Sequence, residues 1–212
     1  MTRLILVRHG QSVANDKKIF SGQGDYALTE AGLLQAELAA DYLEKTEKID
    51  VIYSSDLQRA YNTALATAKR FGLEVNKDPA LREFNLGDWV GKTREQVEKE
   101  YPDVWSAKGS LRHYPNGEYT PDAFERSVNA IVKIAQRHEG KCVMIAAHSG
   151  VVRSFAAFSN SISKYELGKQ PDCHNASISI FEYHNGISKP VRYGITEHLE
   201  SEKVSPSGKG IM

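Results

Sequence analysis

Arg8-His9-Gly10 follows Leu4-Ile5-Leu6-Val7, a short apolar run with two β-branched residues that predicts a buried strand. Ligand sites in open α/β sheets gather at the carboxyl ends of parallel strands. An arginine beside a histidine there suits an anionic group, because a guanidinium matches phosphate geometry and an imidazole can attack or donate. Taken alone, the dipeptide reads better as two solvated loop residues. The chemistry is repeated, however, at two further predicted strand ends. Asp50-Val51-Ile52-Tyr53 runs into Ser55-Asp56-Leu57-Gln58, whose spacing predicts a capping box and a helix with Arg59 in its first turn. Orphan backbone N–H groups at such a helix start also favour anions. Cys142-Val143-Met144-Ile145-Ala146-Ala147 is continuously apolar, as a central parallel strand should be, and stops at His148-Ser149-Gly150. Converging on one rim, these cations form a charge cluster that costs stability unless an anion relieves it.

The elements that must position these residues alternate between strand and helix. Phe20-Ser21-Gly22-Gln23-Gly24-Asp25 is a glycine-rich turn that supplies backbone amides. Thr29 is placed to cap a helix of about four turns with an apolar stripe at Leu33, Leu34, Leu38 and Tyr42. Pro79-Ala80-Leu81-Arg82-Glu83 introduces Phe84-Asn85-Leu86-Gly87-Asp88-Trp89. Thr93 to Tyr101 has helical periodicity, and the residues from there to Tyr119 read as irregular. Pro121 suits the first turn of a helix whose stripe holds Phe124, Val128, Ile131 and Ile134. Val151 to Asn160 reads as another helix. Ser177 to Tyr183 alternates polar and apolar residues, which predicts a half-exposed strand suited to a sheet edge. This alternation predicts an α/β protein, a three-layer α/β/α sandwich around a mostly parallel sheet.

A chain of 212 residues, 41% hydrophobic, buries a core most economically as one domain, here residues 1–200, with the Ser-, Gly- and Lys-rich 201–212 as a fraying tail. Lys plus Arg and Asp plus Glu number 27 each, so no electrostatic footprint for nucleic acid or an anionic membrane follows. The N-terminal apolar run is too short for a signal peptide or a membrane span. Cys142 and Cys173 lack zinc or CxxC spacing, so reduced cytoplasmic thiols are expected. There is no P-loop, no HExxH and no carboxylate cluster for magnesium. A metal cation would also be repelled by Arg8 and Arg59. Neither Ser12 nor Ser149 sits in Gly-x-Ser-x-Gly, which weakens a serine-hydrolase reading. No metal and no cofactor are expected.

Arg8-His9-Gly10, Arg59 in Ser-Asp-Leu-x-Arg-Ala, Glu83, and Ala147-His148-Ser149-Gly150 together resemble the histidine phosphatase superfamily, which includes the cofactor-dependent phosphoglycerate mutases. The resemblance runs from about Thr2 to Tyr183 with the motifs in family order. It implies that His9 is a nucleophile forming a phosphohistidine and that Arg8, Arg59 and His148 hold the phosphoryl oxygens. It also implies that Glu83 is the proton donor. Asn15 and the Ser21-Gly22-Gln23 turn match positions lining the family's phosphate pocket, and Ser149 stands beside them. Elementary chemistry agrees. Flanking arginines favour a neutral, nucleophilic imidazole, and fixed cations stabilise charge spreading over the equatorial oxygens.

Two positions depart from the family pattern. Ser149 stands where His-Gly-Gly is common, and Tyr119 occupies a small-hydroxyl position after Asn116-Gly117-Glu118. Both bear on the substrate pocket rather than on the chemistry. The aromatic and basic residues between Trp89 and Tyr119, Arg112 and His113 among them, read as a lid at about 89–120, with Trp89 itself suited to ordinary packing. The expected function is a metal-independent phosphatase for small phosphate monoesters, as a monomer or homodimer. A mutase that returns the phosphoryl group to a second hydroxyl is the nearest rival. A silent phosphate-binding module is disfavoured by the joint presence of His9, Glu83 and His148.

Overall fold

The structure is a computed structural model that describes residues 1–200, so the expected tail at 201–212 lies outside the described residues. The first half contains β1 (Thr2–Arg8), α1 (Val13–Asp16), α2 (Glu30–Thr46), β2 (Val51–Ser54), α3 (Gln58–Phe71) and β3 (Val75–Lys77). The second half contains α4 (Arg94–Glu100), α5 (Pro102–Ser106), α6 (Thr120–Arg137), β4 (Cys142–Ala147), α7 (Ser149–Ser159), β5 (Ile178–His184) and β6 (Ile187–Ile195).

One six-stranded sheet has the order β3-β2-β4-β1-β5-β6. The first four strands of that order are parallel, and β5 and β6 are antiparallel additions. The continuously apolar runs take the centre, as strands covered on both faces must. β1 pairs with β4 from Arg3↔Cys142 to Arg8↔Ala147, so both strands deliver their polar ends to one rim. Successive side chains of β1 point to opposite faces. Leu4 and Leu6 pack with Ile131, Ile134, Val151 and Phe155 of α6 and α7. Ile5 and Val7 pack with Ala39, Leu43, Ala64 and Ala68 of α2 and α3. That division produces the three layers.

Several local expectations need correction. The α2 stripe lies elsewhere: Leu33 and Leu34 are exposed, and Gln35, Ala36, Ala39, Ala40 and Leu43 are buried instead. Small residues let α2 approach α3 closely, and Ala36 and Ala40 meet Ala66 there. Ser55 makes no capping box. Its hydroxyl accepts from the Leu57 N–H, while Asp25 from the glycine-rich turn accepts from the Gln58 N–H at 2.8 Å and caps α3 from outside. β5 is an inner strand with Ile178 to Phe181 buried, and β6 forms the edge. Hydroxyls on β5 are accommodated by pairing, as when Ser179 Oγ accepts from Gly194 N. The irregular segment before Tyr119 includes the short helix α5. The Thr29 cap and Pro121 in the first turn of α6 are as expected, and Thr93 opens the expected helix α4 with a capping box to Gln96.

Candidate active site

His9 leaves β1 still in register, its N–H donating to the Ala147 carbonyl at 2.9 Å. Its Nδ1 lies 2.7 Å from the Gly10 carbonyl oxygen. A carbonyl only accepts, so Nδ1 carries the proton and Nε2 keeps the lone pair. Gly10 is itself fixed. Its N–H donates to Thr63 Oγ1, and a Cβ at this position would stand 2.3 Å from the Gly32 carbonyl. The β1–α2 approach therefore needs glycine at this point. Burial, followed by the charges of Arg59 and Arg8, holds the His9 imidazole well below its ordinary pKa.

His148 forms the N-cap of α7, and its ring stands edge-on to His9 with centroids 5.2 Å apart. It is fully buried, and neither ring nitrogen has a hydrogen-bond partner among the described residues. Burial, Arg59, His9 and Arg8 keep it neutral to well below its ordinary pKa. Arg8 is buried and donates through Nη1 to the Cys173 carbonyl. Arg59 is also buried, and its two terminal nitrogens donate to the Gly24 and Gly22 carbonyls at 2.7 Å each. Desolvation lowers its pKa to about 10, so it stays cationic at neutral pH.

Glu83 approaches from the connection before Phe84. Its carboxylate accepts from the Phe84 N–H at 3.0 Å and from the Gly150 N–H at 3.1 and 3.3 Å. Gly150 lies in the first turn of α7, whose leading N–H groups have no partner within the helix. Burial raises the Glu83 pKa, against the opposing pull of these bonds and of Arg59 and Arg8.

One small cavity is lined by Arg8, His9, Asn15, Ser21, Gly22, Glu83 and Ser149, with Ile19, Phe20 and Leu86 as apolar wall. The two ends of the sheet rim and the glycine-rich turn thus meet as the spacing suggested. Three candidates stand back from that wall. Arg59 grips the turn from behind, His148 contacts the His9 ring, and Gln23 donates through Nε2 to the Glu83 carbonyl at 3.1 Å. Ser149 directs its hydroxyl to the Asp172 carboxylate. Arg112 is buried and its guanidinium stacks over Trp89 and Trp105, whereas His113 is exposed against Tyr119.

Sequence reasoning missed the segment from Asp172 to Ala176. Asn175 is fully buried and its Nδ2 donates to the His9 carbonyl (3.1 Å), the Gly10 carbonyl (3.3 Å) and Asn15 Oδ1 (3.2 Å). Ala176 N–H also donates to the His9 carbonyl. Arg126 of α6 was missed as well. It holds Glu118 in a bidentate pair and donates to the Arg82 and Glu83 carbonyls. Antiparallel pairing of β5 beside β1, with Val7↔Ile178, returns the residues before β5 to the end of β1, a tertiary relationship that the local sequence does not carry.

Comparison with known proteins agrees with this geometry. The sequence matches the histidine phosphatase superfamily (branch 1) over residues 4–196. It is 32% identical to phosphoglycerate mutase-like protein 4 of Arabidopsis thaliana, over 98% of this chain and 91% of that one. It is 33% identical to phosphoserine phosphatase 1 of Hydrogenobacter thermophilus, over 94% of this chain and 95% of that one. Among solved structures, a mycobacterial glucosyl-3-phosphoglycerate phosphatase complexed with VO3 superposes with a TM-score of 0.84 and 29% identity. That alignment covers 92% of this chain and 99% of that one. Full-length relatives, a shared fold and a family match spanning both imidazole-bearing strand ends make this chain a member of the histidine phosphatase superfamily.

Proposed function

We propose that this chain is a phosphatase that hydrolyses small phosphate monoesters without a metal, through a phosphohistidine on His9. The observation that carries the reading is the His9 Nδ1 bond to the Gly10 carbonyl, which leaves the Nε2 lone pair as nucleophile in a cavity shared with Glu83. Nε2 attacks phosphorus and a P–N bond forms as the ester P–O bond breaks. Glu83, protonated with the help of its raised pKa, gives its proton to the departing alkoxide. Water then attacks the phosphohistidine, loses a proton to Glu83 and restores His9 as phosphate leaves. Arg8 holds the phosphoryl oxygens from the cavity wall, with Arg59 and His148 supporting them from behind it, while Asn15, Ser21, Gly22 and Ser149 line the pocket and Gln23 steadies Glu83 through its carbonyl. Cations fixed before reaction stabilise transition-state charge without reorganising.

The segment at about 89–120 acts as a lid on a single domain of residues 1–200, braced by Trp89 under Arg112. Among the described residues no group of three or more His, Cys, Asp or Glu is placed to hold a metal ion. No helix among them is long and apolar enough to cross a membrane. Cys142 and Cys173 are both free thiols, as a reducing, cytoplasmic setting would keep them.

A screen of phosphate monoesters with EDTA present tests the reading. Phosphate release is expected, and turnover that needs added magnesium or zinc contradicts the metal-free mechanism. With 3-phosphoglycerate, isomerisation to 2-phosphoglycerate without phosphate release would replace the phosphatase reading by the mutase one.

A further inference from the structure

A second, much larger cavity of about 520 Å³ lies beside the catalytic one, between the turn at Gly109–Leu111, the turn at Lys164–Lys169 and α7. Its volume is in the range that holds small organic ligands, whereas the catalytic cavity offers about 40 Å³. Consecutive residues join the two linings: Glu83 faces the catalytic cavity and Phe84 the large one, and both side chains approach Gly150. A Cβ there would stand 2.4 Å from Glu83 Oε1 and 3.0 Å from the Phe84 ring, so carboxyl and ring rest on the same backbone atom. The Phe84 ring then forms part of the large cavity's wall. A group that protonates a leaving oxygen must stand within hydrogen-bond reach of it. The large cavity therefore begins on the side where the alcohol departs.

The walls of that cavity are cationic. Lys108 and Arg112 stand on one side, Arg153 and Lys169 on the other, and Glu166 is the one carboxylate among the lining residues, already paired with Lys169. Arg112 donates through Nη2 to the Trp105 and Ala107 carbonyls, and Arg153 through Nη2 to those of Leu167 and Gln170. Both guanidiniums are thus held by backbone, and the buried Nε of each has no partner among the described residues. A cation fixed in this way loses little freedom when it meets an anion.

Resting on the phosphatase reading, the geometry points to a leaving-group pocket: the substrate is a phosphate monoester of an extended alcohol bearing a second anionic group remote from the ester. Sorbitol 6-phosphate and 6-phosphogluconate test this, because they differ only in a hydroxymethyl or carboxylate at the far end. Wild-type kcat/KM is expected to favour 6-phosphogluconate by about tenfold, and the Lys108→Ala/Lys169→Ala variant to bring the ratio toward unity. Gly168 supplies a steric control, since a Cβ there meets nothing within 4 Å. Gly168→Trp should raise KM several-fold for both six-carbon esters and leave glycerol 1-phosphate unchanged. Calorimetry on His9→Ala, which retains the cavity without turnover, should give the same preference in Kd. Equal kcat/KM and equal Kd for the two six-carbon esters overturn the pocket assignment, as does a Gly168→Trp that slows glycerol 1-phosphate equally. Failure of the wild type to release phosphate from any ester overturns the underlying phosphatase reading instead.

Discussion

The Glu83 carboxyl is clamped onto the Gly150 backbone: Oε1 and Oε2 accept from one N–H at 3.1 and 3.3 Å, and a methyl on Gly150 would stand 2.4 Å from Oε1. Only glycine lets the carboxyl come this close. Gly150→Ala should therefore displace the acid and slow glycerol 1-phosphate by about 10²–10⁴-fold, the usual worth of general acid catalysis. Nitrophenyl phosphate, whose leaving group needs no proton, should lose much less. In the Gly150→Ala/Glu83→Gln double variant the two losses should not add, because both act through one carboxyl. Additive losses in steady-state kcat/KM would separate Gly150 from the acid.

The pH profile follows from two opposed shifts. In the proposed mechanism His9 must be neutral to attack, and its pKa is held well below the ordinary value near 6.5. Glu83 must be protonated to donate, and its pKa is raised above the ordinary 4.5. The acid limb of kcat/KM should thus lie below pH 6.5 and the alkaline limb above pH 4.5. Glu83→Gln should abolish the alkaline limb while leaving the acid limb in place. An acid limb that disappears with Glu83→Gln would exchange the two assignments.

The same imidazoles make stability depend on pH. In the unfolded chain His9 and His148 take up protons near 6.5, and in the folded protein only at lower pH. Below 6.5 the unfolded state therefore binds more protons, and stability falls as pH falls. Each unit of difference is about 1.4 kcal/mol. Glu83, with its raised pKa, works in the opposite direction, so the signal is the difference between variants. Urea midpoints measured between pH 7.5 and 5 should fall less steeply for His148→Asn than for wild type. Parallel slopes would contradict the burial of a neutral His148.

The cationic pocket should also respond to anions. Orthovanadate at 100 times its Kd should stabilise the fold by about 2.7 kcal/mol, seen as a rise in Tm. Arg59→Met should remove most of that shift, since Arg59 grips the Gly22 and Gly24 carbonyls and lies close enough to depress the His9 pKa. An unchanged shift would move phosphate binding away from this turn.

Much of the site was legible because its residues lie at strand ends marked by unbroken apolar runs. Leu4–Val7 reads as a buried strand and Cys142–Ala147 as a central one, and their register places Arg8 opposite Ala147, next to His148. What was illegible depends on tertiary pairing. Ser177, Ser179 and Tyr183 alternate with apolar residues as an edge strand would, yet β6 covers β5, and Pro190 obscured β6 as a strand. Once β5 was read as an edge, nothing pointed to Asn175 lying against the His9 carbonyl. The exposed Leu33 and Leu34 misled for a related reason: α2 meets α3 through alanines, which carry little periodic signal.

In the proposed chemistry Nε2 of His9 takes the phosphoryl group while Nδ1 stays bonded to Gly10. Rapid acid-free quenching of wild type with a ³²P-labelled monoester, followed by alkaline digestion and separation of the two phosphohistidine isomers, tests it most directly. An alkali-stable, acid-labile label is expected on His9 as the Nε2 isomer alone, with no label in His9→Ala. Equal labelling of His9→Ala, or an Nδ1-phosphorylated histidine in wild type, would contradict it.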